Sequence, residues 1–118
     1  VILADTSVWV DHFRRGNPGL QKLLLAGEIL THPFVVGEIA CGNLHKRTEV
    51  LVFLHALPAA NAATDEEVLW LIEQKRWHGK GIGWVDAHLL ASALLTGCPL
   101  WTLDRCLRAT AIQAGVGH

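Results

Sequence analysis

Charge is scarce in this sequence, and so are cysteine, long apolar runs and recognisable metal-binding histidine patterns. Only 18% of the 118 residues are charged, with ten Lys and Arg against eleven Asp and Glu for a formal net charge of -1. Without a basic excess, the chain does not read as a protein that coats nucleic acid by charge alone. Cys41, Cys98 and Cys106 form no C-x-x-C pair, which speaks against a disulfide framework and for a reducing compartment, the cytoplasm. The longest uncharged run, His88 to Leu103, is broken by Ser92, Thr96, Gly97 and Pro99. A bilayer span needs about 20 apolar residues, so no membrane segment is expected. Val1 to Ala4 offers too short an apolar stretch before Asp5 for the core of a secretory leader. Seven histidines are present without H-E-x-x-H or clustered Cys/His spacing, so a zinc site is not indicated.

What is abundant is apolar side chain, 51% of the chain, too much for a disordered segment. The length suits a single domain, residues 1–118. Val1-Ile2-Leu3-Ala4 reads as a strand buried on both faces, followed by an amphipathic helix from Val8 to Arg15. Leu20, Leu23 and Leu24 continue at helical spacing up to Gly27. Glu28 to His32 alternates like a second strand, and Pro33 suits the first turn of the next helix. Lys46 to Leu57 is helical in pattern, and Ala59 to Ala63 is a possible third strand. Thr64 and Glu67 form a capping box opening a helix towards Trp77. Gly79 to Gly83 leads into a helix from Trp84 to Leu95, Pro99 to Thr102 is a fourth strand, and Asp104 stands where it would cap the last helix. Strands alternating with helices indicate an α/β fold with a largely parallel sheet.

Most acids, among them Glu28, Glu49, Asp65, Glu66, Glu67 and Glu73, lie on solvated faces with basic neighbours, and Asp11 sits beside His12, Arg14 and Arg15. Asp5, Glu38, Asp86 and Asp104 are different, because each is embedded in apolar sequence. A carboxylate in such surroundings is costly unless paired or bound to a metal. Asp5 and Asp104 each follow a predicted strand, and in a parallel sheet the carboxyl ends of the strands share the edge where ligands bind. Any one of these acids has a bland alternative as a cap or a buried hydrogen-bond acceptor. Four converging on one edge are better explained as an oxygen cage for Mg²⁺ or Mn²⁺.

With these residues in view, the chain resembles the PIN-domain ribonucleases, and among them the VapC-type toxins of bacterial toxin–antitoxin pairs. The resemblance rests on Ala4-Asp5-Thr6-Ser7-Val8-Trp9, Val36-Gly37-Glu38-Ile39, Gly81 to Ser92 around Asp86, and Trp101-Thr102-Leu103-Asp104. Each motif is short; their order along the whole chain is specific. The resemblance implies a three-layer α/β/α sandwich whose mainly parallel central sheet has four or five short strands. It departs at Val116-Gly117-His118, where a short final strand belongs to the family pattern. It also implies an endoribonuclease with Asp5, Glu38, Asp86 and Asp104 as the catalytic acids. Asp5, Asp86 and Asp104 are its expected metal ligands, Asp5 and Asp104 the principal ones, and Mg²⁺ (or Mn²⁺) is the cofactor. Thr6, Ser7 and Thr102 are the supporting hydroxyls. An RNA substrate (tRNA or another structured RNA), a small VapB-type antitoxin and a homodimer follow from the same resemblance, as do products with 5′-phosphate and 3′-hydroxyl ends.

Other signals stay open at this level. The loop Gly79-Lys80-Gly81-Ile82-Gly83 follows a helix and lacks the phosphate-loop spacings, so it reads as a connector or as a backbone contact to an RNA phosphate. His88 either reaches the rim of the acid site or fills core, and Trp84 either stacks a base or packs under the loop. Trp70 and Trp77 suit core or dimer contact. Arg14-Arg15, Lys46-Arg47, Lys75-Arg76 with Lys80, and Arg105 with Arg108 are solvated faces or tracks for an RNA backbone. A receiver domain would carry paired acids after its first strand and a Lys after a late one; here Thr6 follows Asp5 and the late strand ends in Asp104. A haloacid-dehalogenase phosphatase needs D-x-D, and position 7 is Ser. An idle binding or signalling module built on the same acidic pocket is the remaining alternative.

Overall fold

The computed structural model describes all of residues 1–118. Its elements run in the order β1 (Ile2–Ala4), α1 (Thr6–Arg15), α2 (Pro18–Leu25), β2 (Ile29–Leu30), α3 (Pro33–Ala40), α4 (Arg47–Ala56), α5 (Asp65–Lys75), α6 (Trp84–Thr96), β3 (Leu100–Trp101) and α7 (Arg105–Gln113). The sheet is parallel in the order β2-β1-β3, with Leu3 opposite both Leu30 and Leu100. Leu3, Ala4, Ile29 and Leu100 are almost wholly buried, as strands covered on both faces must be.

The sheet has three strands, not the four or five expected. Its two outer positions are reduced to single parallel bridges, Thr31 to Ala59 on one edge and Leu100 to Gly117 on the other. Ala59 to Ala63 is therefore not a strand: Ala-Ala-Asn-Ala-Ala has no branched or aromatic side chain to cover a pleated surface. The chain end does reach the sheet, since the Leu100 amide donates to the Val116 carbonyl at 2.7 Å.

Parallel connections are right-handed. The path from β1 through β2 to Ala59 moves one way across the sheet, and the path from Ala59 to β3 and Gly117 moves the other way. The reversal puts α1–α4 on one face and α5–α7 on the opposite face, giving three layers. The contacts agree, with α1 on α3, α3 on α4, α5 on α6, and α6 and α7 against β3. Helix α6 runs through the interior, with Ala87 to Ala93 all buried. It is apolar nearly all round, as a central helix should be. No helix is long and apolar enough to cross a membrane.

Several helix starts are written in single residues. Asp5 caps α1, so that helix begins at Thr6 rather than Val8. Asn17 caps α2 with Pro18 in its first turn, and Thr64 and Glu67 form the expected reciprocal capping box of α5. Asp104 caps α7 by accepting the Leu107 amide.

Candidate active site

Two strand ends and two helices bring the acid site together. Asp5 leaves the end of β1, the central strand, and is 6% exposed. Its Oδ1 accepts the Thr6 amide at 2.7 Å, and its Oδ2 accepts the hydroxyls of Ser7 at 2.8 Å and Thr102 at 2.7 Å. The same hydroxyl oxygens accept backbone amides from the β3–α7 corner, Leu103 onto Ser7 and Asp104 onto Thr102, both at 3.0 Å. Hydrogen bonds thus tie the corner carrying Asp5 to the corner carrying Asp104. Thr6 reaches the other way, donating its hydroxyl to Oε1 of Glu38 at 2.7 Å and linking α1 to α3. Thr6, Ser7 and Thr102 each donate a hydroxyl to a carboxylate.

Asp86 stands in the first turn of α6, half-buried, with Oδ2 accepting the Gly83 amide at 3.0 Å. Its carboxyl is raised above the usual aspartate range. Burial is the main cause, the Gly83 amide opposes it, and the charges of Asp5, Asp104 and Glu38 push it further up. Asp86 thus feels the charge of three acids that are far from it in the chain. No basic side chain offsets them, for the ion pairs of the structure are Arg15–Asp11 and His88–Asp65.

This donor set fits a hard divalent cation. Oδ1 of Asp86, Oδ2 of Asp104 and Oε2 of Glu38 accept no hydrogen bond from the protein. No three acidic, histidine or cysteine side chains stand at a common ligating point. A divalent ion there would take one or two carboxylates directly, with water completing its shell.

The histidines and the tryptophans resolve differently. His88 does not line the rim of the acid site. It is 2% exposed, with Nε2 at 3.0 Å from Oδ1 of Asp65 and the rings of Phe34 and Trp84 each 4.6 Å away. Trp84 lies edge-on against His88, Trp77 is in the core and Trp70 is exposed on α5. Asp65, grouped by sequence with the solvated acids, is His88's partner. Sequence reasoning missed His32, which is 1% exposed and caps α3, the helix bearing Glu38, by accepting the Phe34 amide on Nδ1 at 3.0 Å. Its Nε2 has no partner, and burial beside His88 lowers its pKa from 6.5 to about 4. A polar residue directly before Pro33 was the available signal. The glycine loop is more than a connector, since its Gly83 amide holds Asp86.

A three-layer parallel fold with four acids without ion pairs, from two strand ends and two helices, defines a class, and the PIN-domain family profile matches residues 2–113. The chain belongs to the PIN-domain family. Among curated proteins it is similar to the Ribonuclease VapC32 sequences of two Mycobacterium tuberculosis strains, 43% identical over 117 residues in each case. Those matches cover 98% of this chain and 94% of the relatives, so the likeness runs through the whole domain and all four acids lie within a VapC-type framework.

Proposed function

We propose that the chain is a metal-dependent endoribonuclease, the toxin of a type II toxin–antitoxin module, using Asp5, Glu38, Asp86 and Asp104 with Mg²⁺ or Mn²⁺ to hydrolyse RNA phosphodiester bonds. The observation that carries the reading is the hydrogen-bonded chain from Glu38 through Thr6, Asp5 and Thr102 to Asp104, which gathers acids of three segments with no ion pair among them. A structural role alone does not require acids to be gathered without counter-charge. The likeness to proteins named ribonucleases adds the substrate class.

Held by these carboxylates, a divalent cation would activate a water near neutral pH and offset the negative charge that builds up as the phosphodiester is cleaved. Asp5, held by three donors, is the fixed side of the site, and Asp104, fixed by the α7 cap, faces it from the next corner. Glu38 and Asp86 complete the set. They orient the waters of the site, and one of the two takes the proton from the nucleophile. The Ser7 and Thr102 hydroxyls keep the Asp5 carboxylate oriented towards the edge.

The same reading assigns a small VapB-type antitoxin as inhibitor, a structured RNA such as tRNA as substrate, and the cytoplasm as the place of action. Exposed Leu69 and Trp70 on α5 support a homodimer. The test is incubation of purified chain with end-labelled RNA in Mg²⁺, in Mn²⁺ and in excess chelator. Internal cleavage with either ion and none with chelator is expected; chelator-resistant cleavage overturns the metal role.

A further inference from the structure

Beside the acids lies a second feature of opposite charge. A cleft of about 510 Å³ runs between the glycine loop and α7, lined by Lys80, Arg105, Cys106, Ala109, Thr110 and Gln113. No acidic side chain lines it. Lys80 and Arg105 are exposed, make no ion pair and donate no hydrogen bond within the chain. Of the other basic residues, Arg15 pairs with Asp11 and Arg47 donates to the carbonyls of Ala40 and Gly42; what sets Lys80 and Arg105 apart is that they line one cleft together. The Thr110 hydroxyl is occupied by the Cys106 carbonyl, which leaves Lys80, Arg105 and the Gln113 amide as donors for a ligand.

The two walls are held at a set spacing. Gly81 has φ +76°, and a Cβ added there would meet Sγ of Cys106 at 2.9 Å, so the loop backbone lies directly on α7. Each wall also leads straight to the acid site. Arg105 follows Asp104 at the start of α7, and the loop carrying Lys80 ends at Gly83, whose amide holds Asp86.

We propose that this cleft is a substrate subsite, in which Lys80 and Arg105 each grip one backbone phosphate of a single-stranded stretch of the RNA, flanking the one under attack. It rests on the ribonuclease reading for its substrate and extends that reading to residues outside the acid set. Four carboxylates repel a polyanion, and a cation between them serves only the scissile phosphate. The neighbouring phosphates need cations of their own, and exposed Lys and Arg supply them without sequence preference.

The test is the salt dependence of binding, read by anisotropy of a fluorescent single-stranded RNA dodecamer in calcium, for the unsubstituted chain and for Lys80→Ala/Arg105→Ala. Two lost phosphate contacts lower the slope of log Kd against log salt by about 1.4, so the variant loses about sevenfold less affinity over a fourfold rise in salt. In the cleavage assay its KM rises while kcat holds. The control Lys22→Ala, in the opposite helical layer, keeps the original slope. RNA also slows alkylation of Cys106 by iodoacetamide relative to exposed Cys41, because Cys106 lines the cleft. An unchanged slope, an equal change in the control, unprotected Cys106 or absent binding overturns the subsite. Binding that follows this pattern without any cleavage leaves the subsite standing and overturns the ribonuclease reading instead.

Discussion

Thr102 and Asp5 stand 97 residues apart in the chain and share a buried hydrogen bond of 2.7 Å, the threonine hydroxyl donating to Oδ2 of the aspartate. The same oxygen of Thr102 accepts the Asp104 amide, so one hydroxyl positions two of the four acids. Valine has the shape of threonine without the hydroxyl. Thr102→Val leaves Asp5 short of a donor and the Asp104 amide short of an acceptor, at an expected cost of about 1–3 kcal/mol. Thr102→Ser recovers most of it. Urea unfolding measures both, and an unchanged midpoint for the valine variant contradicts this role.

How much of this was legible beforehand differs residue by residue. Asp5 and Asp104 stood out because each ends an apolar run, and a parallel sheet collects such ends on one edge. Thr6, Ser7 and Thr102 were marked only by the family resemblance, and it did not tell which carboxylate each would hold, because the bonds to Glu38 and from Thr102 join segments that only the fold brings together. The outer sheet positions were overestimated, since a single bridge at Ala59 or Gly117 leaves almost no periodicity. His32 and His88 were ambiguous for a different reason. Imidazole is at home on the surface, in a core or on a metal, and only burial decides among them.

His32 makes stability depend on pH. Its folded pKa of about 4 lies below the ordinary 6.5, so between those values the unfolded chain binds a proton that the folded chain does not. Stability from this group is fully present above pH 6.5, declines as pH falls, and is lost by about pH 4. The shift corresponds to about 3 kcal/mol. Asparagine caps helices well and does not titrate. Denaturant unfolding across this range should show a shallower acid-side decline for His32→Asn; parallel pH profiles for the two chains exclude His32 as the cause.

Asp86 carries the opposite sign. Its folded carboxyl is raised above its unfolded value of 3.8, so ionising it costs folding free energy. That penalty is complete above the folded pKa and fades as pH falls towards 3.8. In chelator at neutral pH, Asp86→Asn is therefore expected to melt at a higher temperature than the unsubstituted chain. Added Mg²⁺ should reverse the order, because a ligand at a hundred times its Kd adds about 2.7 kcal/mol to the chain that binds it. Thermal melts with and without Mg²⁺ check this, and an unsubstituted chain indifferent to the ion contradicts it.

Gly81→Ala tests the fixed spacing of the loop. Left-handed backbone costs a non-glycine residue about 1–2 kcal/mol. The new methyl also meets Cys106 Sγ at 2.9 Å. Combining it with Cys106→Ala should restore the steric part of the loss and leave the backbone part. Equal stabilities of Gly81→Ala and the unsubstituted chain, in chemical denaturation, would mean that the loop does not lie on α7.

The most direct measurement of the central claim is the cleavage rate of one defined RNA in Mg²⁺ by the unsubstituted chain, Asp5→Asn and Asp104→Asn, with circular dichroism of each. The account predicts internal cuts leaving 5′-phosphate and 3′-hydroxyl ends with the unsubstituted chain, and a loss of at least about a hundredfold in either variant at unchanged helix content. Full cleavage by a folded Asp5→Asn chain would contradict it.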